Sequence, residues 1–343
     1  MPPGVQLQYQ SDGLVDLSVN QMIPAPGKTA GQAQIRVSRL EMARSDSAER
    51  LRKLSLSIRE AAWMEWMALQ KGKIATEQES LAVRLSETVR RSLAQGMATA
   101  SEAWIVETKA RQAHSESVRL EAEARSARAM RESLTGIDTA LEAGDGVPPD
   151  WNDSMLAKAS ELRPDVVSMT READMESAMG QAMAANLRPD VMVGAMAMRM
   201  PNGMPGWGVM AGMTMPFVPW ARGMATGDAA GAHARSRMAQ SRAQTMIRMA
   251  RAEVADHSAK AKAAWTAWRE LDSLVLPGQD RAVADSRARY AQGREMLAMV
   301  FAMQDMVRMA RMESVMLRGE YELERARLLA AAGLESFEQD GAK

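Results

Sequence analysis

The chain has 343 residues in which 43 basic side chains balance 43 acidic ones, 31 residues are Met, only 4% are aromatic and none is Cys. That balance gives no grounds for nucleic acid as a partner or for a polybasic membrane anchor, and the missing cysteine excludes disulfides, thiolate metal sites and a lipid-carrying N-terminal Cys in this chain. No run of eighteen apolar residues occurs, so no membrane-spanning helix is expected, and Met1-Pro2-Pro3-Gly4 opens without the apolar region of a signal peptide.

Val5, Leu7 and Tyr9 alternate with Gln6, Gln8 and Gln10, and after Ser11-Asp12-Gly13 the alternation resumes with Val15, Leu17 and Val19 against Asp16, Ser18 and Asn20. This predicts a hairpin over 1–28 with its apolar residues on one face. A solvated sheet over a core and a barrel with lipid outside and water inside both fit the pattern. Met22-Ile23-Pro24-Ala25-Pro26-Gly27 ends the second strand. From about Thr29 to Ala94 there is no proline, and such a helix would be on the order of 100 Å long, so it needs a partner along its length. Gln95-Gly96-Met97-Ala98-Thr99 breaks it, Ser101 can cap a second helix, and a long helical hairpin over 29–135 follows. Gly144, Gly146, Pro148 and Pro149 mark 136–151 as a linker.

The second half repeats this order. A helix is expected over 152–187. It leads into a hairpin over 188–220, where Met192, Gly194, Met196, Met198 and Met200 alternate with Val191, Val193, Ala195, Ala197 and Arg199. Pro201-Asn202-Gly203 can turn that chain, and Pro216 with Pro219 ends the pairing. A second helical hairpin is expected over 221–334, interrupted at Leu276-Pro277-Gly278 and turning at Gln292-Gly293-Arg294, before a disordered tail over 335–343. The first unit lacks the helix that precedes the second hairpin, so the chain reads as shortened by about one helix at its start.

Enzyme chemistry finds no support. His114, His233 and His257 stand far apart with no ligand spacing, no serine sits in a nucleophile elbow, and no Gly-rich phosphate loop follows a strand. No catalytic residue and no cofactor is expected. Trp63 with Trp66, and Trp265 with Trp268, are spaced to pack between helices, and Arg119, Glu121, Glu123 and Arg125 read as a solvated helix face.

The order of strands and long helical hairpins, given twice, resembles the TolC-type outer-membrane efflux factor family. The residues that carry the resemblance are Ser18-Val19-Asn20-Gln21-Met22-Ile23-Pro24 with Pro26-Gly27-Lys28, Ala94-Gln95-Gly96-Met97, Arg163-Pro164-Asp165, Leu187-Arg188-Pro189-Asp190, Met215-Pro216-Phe217 and Arg289-Tyr290-Ala291-Gln292-Gly293. The resemblance implies a mainly α fold with a small β part. In it, a homotrimer closes a twelve-stranded barrel in outer-membrane lipid and extends a coiled-coil tunnel into the periplasm. It also implies a passive export duct that works with a periplasmic adaptor and an inner-membrane pump. The adaptor would dock at the hairpin tips, here Gln95, Gly96 and Met97 with Tyr290, Gln292, Gly293 and Arg294. Copper or silver ions, drugs and type I secreted proteins all remain open as cargo, and a truncated helical scaffold that transports nothing is the competing reading. Some family members carry acidic gate residues after the second tip, where this chain has Met296, Met299 and Ala302.

Methionine is the remaining signal. Met296, Met299, Met303, Met306, Met309, Met312 and Met316 recur at three- and four-residue steps, a coiled-coil-like seam in which Met fills a core as Leu would. Met192, Met196, Met198 and Met200 would face the lumen if the family's barrel turns Val191 and Val193 to lipid. There they are either soft Cu(I) or Ag(I) contacts or the mark of a Met-biased composition.

Overall fold

The computed structural model describes residues 4–9, 15–96, 98–136, 146–185, 188–199, 204–214 and 219–334. The turn Pro201-Asn202-Gly203, the strand-closing Met215-Pro216-Phe217, most of the 136–151 linker and the 335–343 tail lie outside them, as do Met97 and Met200. The elements in chain order are β1 (Gly4–Tyr9), β2 (Val15–Ile23), α1 (Lys28–Ala94), α2 (Ala100–Thr135), α3 (Asp153–Ala159) and α4 (Pro164–Ala185), then β3 (Val191–Arg199), β4 (Pro205–Met213), α5 (Pro219–Glu270), α6 (Leu276–Ala291) and α7 (Leu297–Ala332). The chain divides into two compact units, residues 1–49 with 164–249 and residues 50–163 with 250–343. No helix among the described residues is long and apolar enough to cross a membrane.

The helical expectations need four corrections. The helix expected over 152–187 is broken: a 3-10 turn, Ser160–Leu162, follows α3, Arg163 takes an extended ψ of 139°, and Pro164 begins α4. A residue before proline is pushed out of the α region, and proline is well placed in a first helical turn. For the same reason Pro219, expected to end strand pairing, opens α5 two residues early. The Leu276-Pro277-Gly278 interruption is a π-helical turn, Leu271–Val275, after which α6 carries Pro277 in its first turn. The wider turn absorbs the bond that proline cannot donate. The start of α2 is capped by Thr99 rather than Ser101: Glu102 N donates to Thr99 Oγ1 at 3.2 Å and Thr99 N donates to Glu102 Oε2 at 2.8 Å, a reciprocal capping box.

In the first unit the four strands form one antiparallel sheet in the order β1-β2-β3-β4. Paired residues share a face, so the register sets Val5, Val19, Ala195 and Val209 in one row and Leu7, Leu17, Ala197 and Trp207 in the next. Asp190, at the start of β3, ties the base of the sheet together. Its carboxylate accepts from Ala25 N at 2.8 Å and from Lys28 Nζ at 2.7 and 2.8 Å, and its own N–H donates to Thr214 Oγ1 at 2.8 Å. Both charged side chains are about 15% exposed. Helix α4 packs on α1 and α5 through small residues. A Cβ on Gly31 would come within 2.9 Å of Ala182 Cβ, and Ala173 clusters with Ala239 and Ala243.

The second unit is a helical bundle with a similarly thin seam. On α1 the buried positions are Ala61, Glu65, Ala68, Gly72, Ala75 and Val89, and on α5 they are Ala250, Val254, Ser258, Ala261, Ala264 and Trp268. Small residues at three- and four-residue steps let helices approach closely, but each buried methyl contributes only about 0.8 kcal/mol. Specific polar and aromatic contacts therefore set the register. Arg131 pairs with Glu65 at 4% and 2% exposure. Trp63 meets Trp66 edge-on at 5.5 Å, and Trp265 meets Trp268 at 5.2 Å and Tyr321 at 4.9 Å. The Tyr321 hydroxyl, which burial raises to about 12, donates to Val147 O.

The methionine seam expected on α7 is not the buried one. Val300, Val307, Ser314, Tyr321 and Leu328, seven apart, are buried with Leu297 and Ala310, while Met299, Met306, Met309 and Met316 are 39–60% exposed. The Met stripe lies beside the packed seam because Val, Ala and Ser suit the close helix approach and a long thioether does not.

Asp190→Ala should lower the urea midpoint of the first unit by the equivalent of about 1–3 kcal/mol, the usual result of stranding hydrogen-bonded partners of a charged acceptor. Its hydrogen bonds from Lys28 and Ala25 hold the Asp190 carboxyl below the usual carboxylate range. The stabilisation is therefore complete above about pH 4 and is lost as pH falls through the lowered folded value. Midpoints measured from pH 6 to pH 2 should converge for the two proteins. In the second unit Glu65→Ala, which leaves Arg131 buried without its carboxylate, should cost about 3–5 kcal/mol in chemical unfolding.

Candidate functional site

Two regions collect the residues singled out in the sequence: one face of the sheet in the first unit, and the hairpin turns in the second. On the sheet, Met192, Met196 and Met198 are half-buried on one face with Met210, and Val191, Val193, Ala195 and Ala197 are exposed on the other. The register adds Ser18 opposite Met196 and Asn20 opposite Gly194, so the methionines of β3 share their face with the polar positions of β2. The opposite face is aliphatic and open. Leu17, Val19, Val191 and Val193 are all exposed, Val209 is 72% exposed and Trp207 85%. Among the described residues no layer covers it. The side chains of Val5, Leu7 and Val15 lie outside those described, and only their register places them in the same rows.

The methionines have packing partners that periodicity does not reveal. Met192 stands opposite Gly212, Met196 opposite Gly208 and Met198 opposite Gly206, while Met210 stands opposite Gly194. A Cβ on Gly208 would lie 3.3 Å from Met196 Cγ and 3.7 Å from its Sδ, and one on Gly212 would lie 3.3 Å from Met192 Cε. The side chains of Met196 and Met192 occupy the space that Gly208 and Gly212 leave open, whereas the space over Gly194 is taken by Asn20 Oδ1. Met210 and Asn20 belong to the same surface and are absent from the sequence-derived set. The signal that could have found them is Met-Gly complementarity between the two strands of the hairpin.

In the second unit the two turns are built alike. Gly96 and Gly293 have φ of 73° and 71°, the left-handed region that favours glycine at a helix end. Beneath them Val89, Val106 and Leu297 form a cluster with Leu85, Ala98, Ala103, Tyr290 and Phe301, which joins both helical hairpins near their turns. A cavity of about 790 Å³ beside it is lined in part by Arg84, Glu102, Arg287, Tyr290 and Glu295. Burial raises Tyr290, with the Glu102 charge adding to it, whereas the Thr99 backbone and hydroxyl hold Glu102 low. Lys109 meets Asp305 at 3.2 Å and Arg308 meets Glu116 at 2.9 Å, so α2 and α7 are bridged by ion pairs. Gln95, Gln292, Gly293 and Arg294 are exposed at the turns, and Gly96 is exposed with them. Tyr290 is the member of the predicted set that packs inward.

The histidines pair with acids within the units. His114 Nδ1 lies 2.7 Å from Glu79 and His257 Nδ1 lies 2.7 Å from Glu324. Among the described residues no group of three or more His, Asp or Glu side chains could hold a metal ion.

Gly293→Ala should destabilise the second unit by about 1–2 kcal/mol, because a Cβ in the left-handed region meets the following carbonyl. Thr99→Ala, which removes the cap of α2, should cost about 0.5–2 kcal/mol. Both are measured as shifts of the thermal midpoint.

No family profile and no curated protein matches the sequence. Solved structures do match the fold. A membrane protein from Pseudomonas aeruginosa superposes with a TM-score of 0.83 at 16% identity, over 96% of this chain and 84% of that one. The outer membrane protein VceC from Vibrio cholerae gives 0.81 at 15% identity, over 96% and 85% of the two chains. CusC, whose structures are described in terms of folding and transmembrane channel formation, gives 0.82 at 14%, over 97% and 82%. The similarity spans nearly the whole of this chain, which has the fold of the TolC-type outer-membrane efflux factors.

Proposed function

We propose that the chain is one subunit of a passive outer-membrane export duct. The observation that carries this reading is the two-faced sheet: four antiparallel strands with an open aliphatic face, a face bearing Ser18, Asn20 and methionines, and edge strands β1 and β4 that pair on their outer sides with no strand among the described residues. Backbone groups in lipid must all be hydrogen-bonded, so such a sheet is stable in a membrane only when copies close it into a barrel. Three chains would supply twelve strands, with Leu17, Val19, Val193 and Val209 towards lipid and the Met face towards the lumen. The helical bundle would form the periplasmic conduit. The turns at Gln95, Gly96, Gln292, Gly293 and Arg294, with Tyr290 behind them, would meet an adaptor of an inner-membrane pump. For cargo, the thioethers of Met192, Met196 and Met198 favour a soft ion, Cu(I) or Ag(I), over a hard one.

The two faces provide the test. In vesicles, Val193→Arg should cost about 2–4 kcal/mol of membrane-folded stability, as expected for a cation facing lipid near the bilayer midplane. Met196→Arg, facing water, should cost much less. Urea titrations of vesicle-inserted protein compare them, and planar-bilayer recordings of the parent chain should show stepwise conductance. Equal costs on the two faces, or the absence of conductance from inserted protein, would remove the duct reading.

A further inference from the structure

We infer that α7 carries a second coiled-coil seam, made largely of methionine, which docks on another copy of this chain in the groove between α1 and α2. How many copies close the ring rests on the duct reading. That one copy seats on the next rests on the residues below.

The seam is regular and open. Met299, Ala302, Met306, Met309, Glu313, Met316 and Glu320 follow one another at alternating steps of three and four, and all are exposed. That is the heptad spacing of a helix that packs along a partner. It stands one residue, about 100° of helix rotation, from the buried row Val300, Val307, Ser314 and Tyr321, so α7 has two separate seams of which its own bundle fills one. A row of exposed thioethers of this length marks an interaction surface, and Met is the side chain best able to fill an irregular groove.

The groove lies elsewhere on the same unit. Its volume is about 640 Å³, and its walls are Leu69, Gly72 and Thr76 of α1 and Ala124 of α2. Gly72 and Ala124 are buried, which leaves a floor of small residues with room for a long side chain above it. The charges along it are Lys73, Arg125 and Arg128 against Glu77 and Glu121, a net basic wall. Within the chain Glu77 is held by Arg311 at 3.5 Å and Arg128 by Glu132 at 2.8 Å, while Lys73 and Arg125 are exposed. The charges that interrupt the methionine seam, Glu313 and Glu320, are of the opposite sign.

Position along the bundle selects a second copy as the occupant. Helix α1 runs antiparallel to α7: Glu60 meets Arg327 at 2.7 Å, Glu77 meets Arg311 at 3.5 Å, and a Cβ on Gly319 would strike Met67. These contacts set Met309 to Glu320 level with Leu69 to Ser80, the α1 wall of the groove. Glu123 near Lys71 brings the α2 wall to the same level. Copies arranged around an axis along the helices meet with no axial shift, so only features at equal height can dock. Seam and groove meet that condition, lie on different faces, and therefore form a heterologous contact that a rotation can close. In it Met309 and Met316 enter the groove and Glu313 faces Lys73 and Arg125, a charged position that fixes the register.

The parent chain has no cysteine, so introduced thiols report only on chosen positions. Met309→Cys and Thr76→Cys, made as separate full-length variants, are mixed, inserted together into vesicles and treated with a short bis-maleimide. The mixture should give a covalent dimer, and the double variant a covalent trimer, whereas each single variant alone should give no more product than the parent. Adding Glu313→Lys should slow cross-linking roughly tenfold through like-charge contact, and adding Lys73→Glu and Arg125→Glu to it should restore the rate. No product from the mixture, equal product from Met309→Cys alone, or an unchanged rate with Glu313→Lys would overturn the docking. Bilayer conductance separates this from the duct itself: conductance without cross-linking refutes the docking and keeps the duct, while cross-linking without conductance supports the docking and refutes the duct.

Discussion

The Asp190 carboxylate is the contact on which the first unit depends. The sheet is made from two hairpins far apart in the chain, and nothing in β2 or β3 alone dictates that they pair. Asp190 stands at the start of β3 and accepts from Ala25 N just beyond β2 and from Lys28 in the first turn of α1, while its backbone N–H and C=O engage Thr214 just beyond β4. One residue, through its side chain and its backbone, thus joins three strands and a helix. Arg188 reinforces the joint by donating to Pro26 O at 3.0 Å. The cost of ordering so many groups at one place is met by charge-assisted hydrogen bonds at low exposure, which are roughly twice as strong as neutral ones.

The helices obey a different constraint. Their seams are made of Ala, Gly and Ser, so the apolar area buried per turn is small, and long helices of this kind gain little from intrinsic propensity. What secures them is local and polar or aromatic: the Thr99–Glu102 box, the Glu65–Arg131 pair, the Lys109–Asp305 and Arg308–Glu116 bridges, and the Trp265–Trp268–Tyr321 stack. This also explains the place of methionine on α7. A close-packed small-residue seam has no room for it, and it lies on the neighbouring stripe.

The sheet reverses the usual placement of apolar residues. Valine and leucine lie on one face with no described residue over them, and the other face alternates thioether and glycine across β3 and β4. A water-soluble monomer has no use for such an arrangement, since an exposed aliphatic band of this extent marks an interaction surface. In the proposed duct, lipid outside and a lumen inside would account for both faces at once. The same checkerboard gives the methionines a packing role, with Met196 over Gly208 and Met192 over Gly212.

The sequence alone determined what is periodic: the strands from alternation at Val15–Val19 and Val191–Ala197, the length of α1 from an unbroken run without proline, and the turns from Gly96 and Gly293. These features depend on neighbours within a few residues. It misjudged helix ends where two local signals compete, as at Arg163-Pro164 and Pro219, and it assigned the α7 seam by counting methionines when the burial of Val300, Val307 and Tyr321 decides it. Of the methionine-bearing face of the sheet it identified Met192, Met196 and Met198 but not Met210 or Asn20, because their place on that face depends on cross-strand register. Pairing of β2 with β3, the Asp190 joint across 162 positions to Lys28, and the Glu65–Arg131 pair are likewise decided only in three dimensions. The physical reason is the same in each case. A period records which face a residue occupies, whereas the partner across that face is chosen by hydrogen bonding and steric fit between segments that share no local sequence signal.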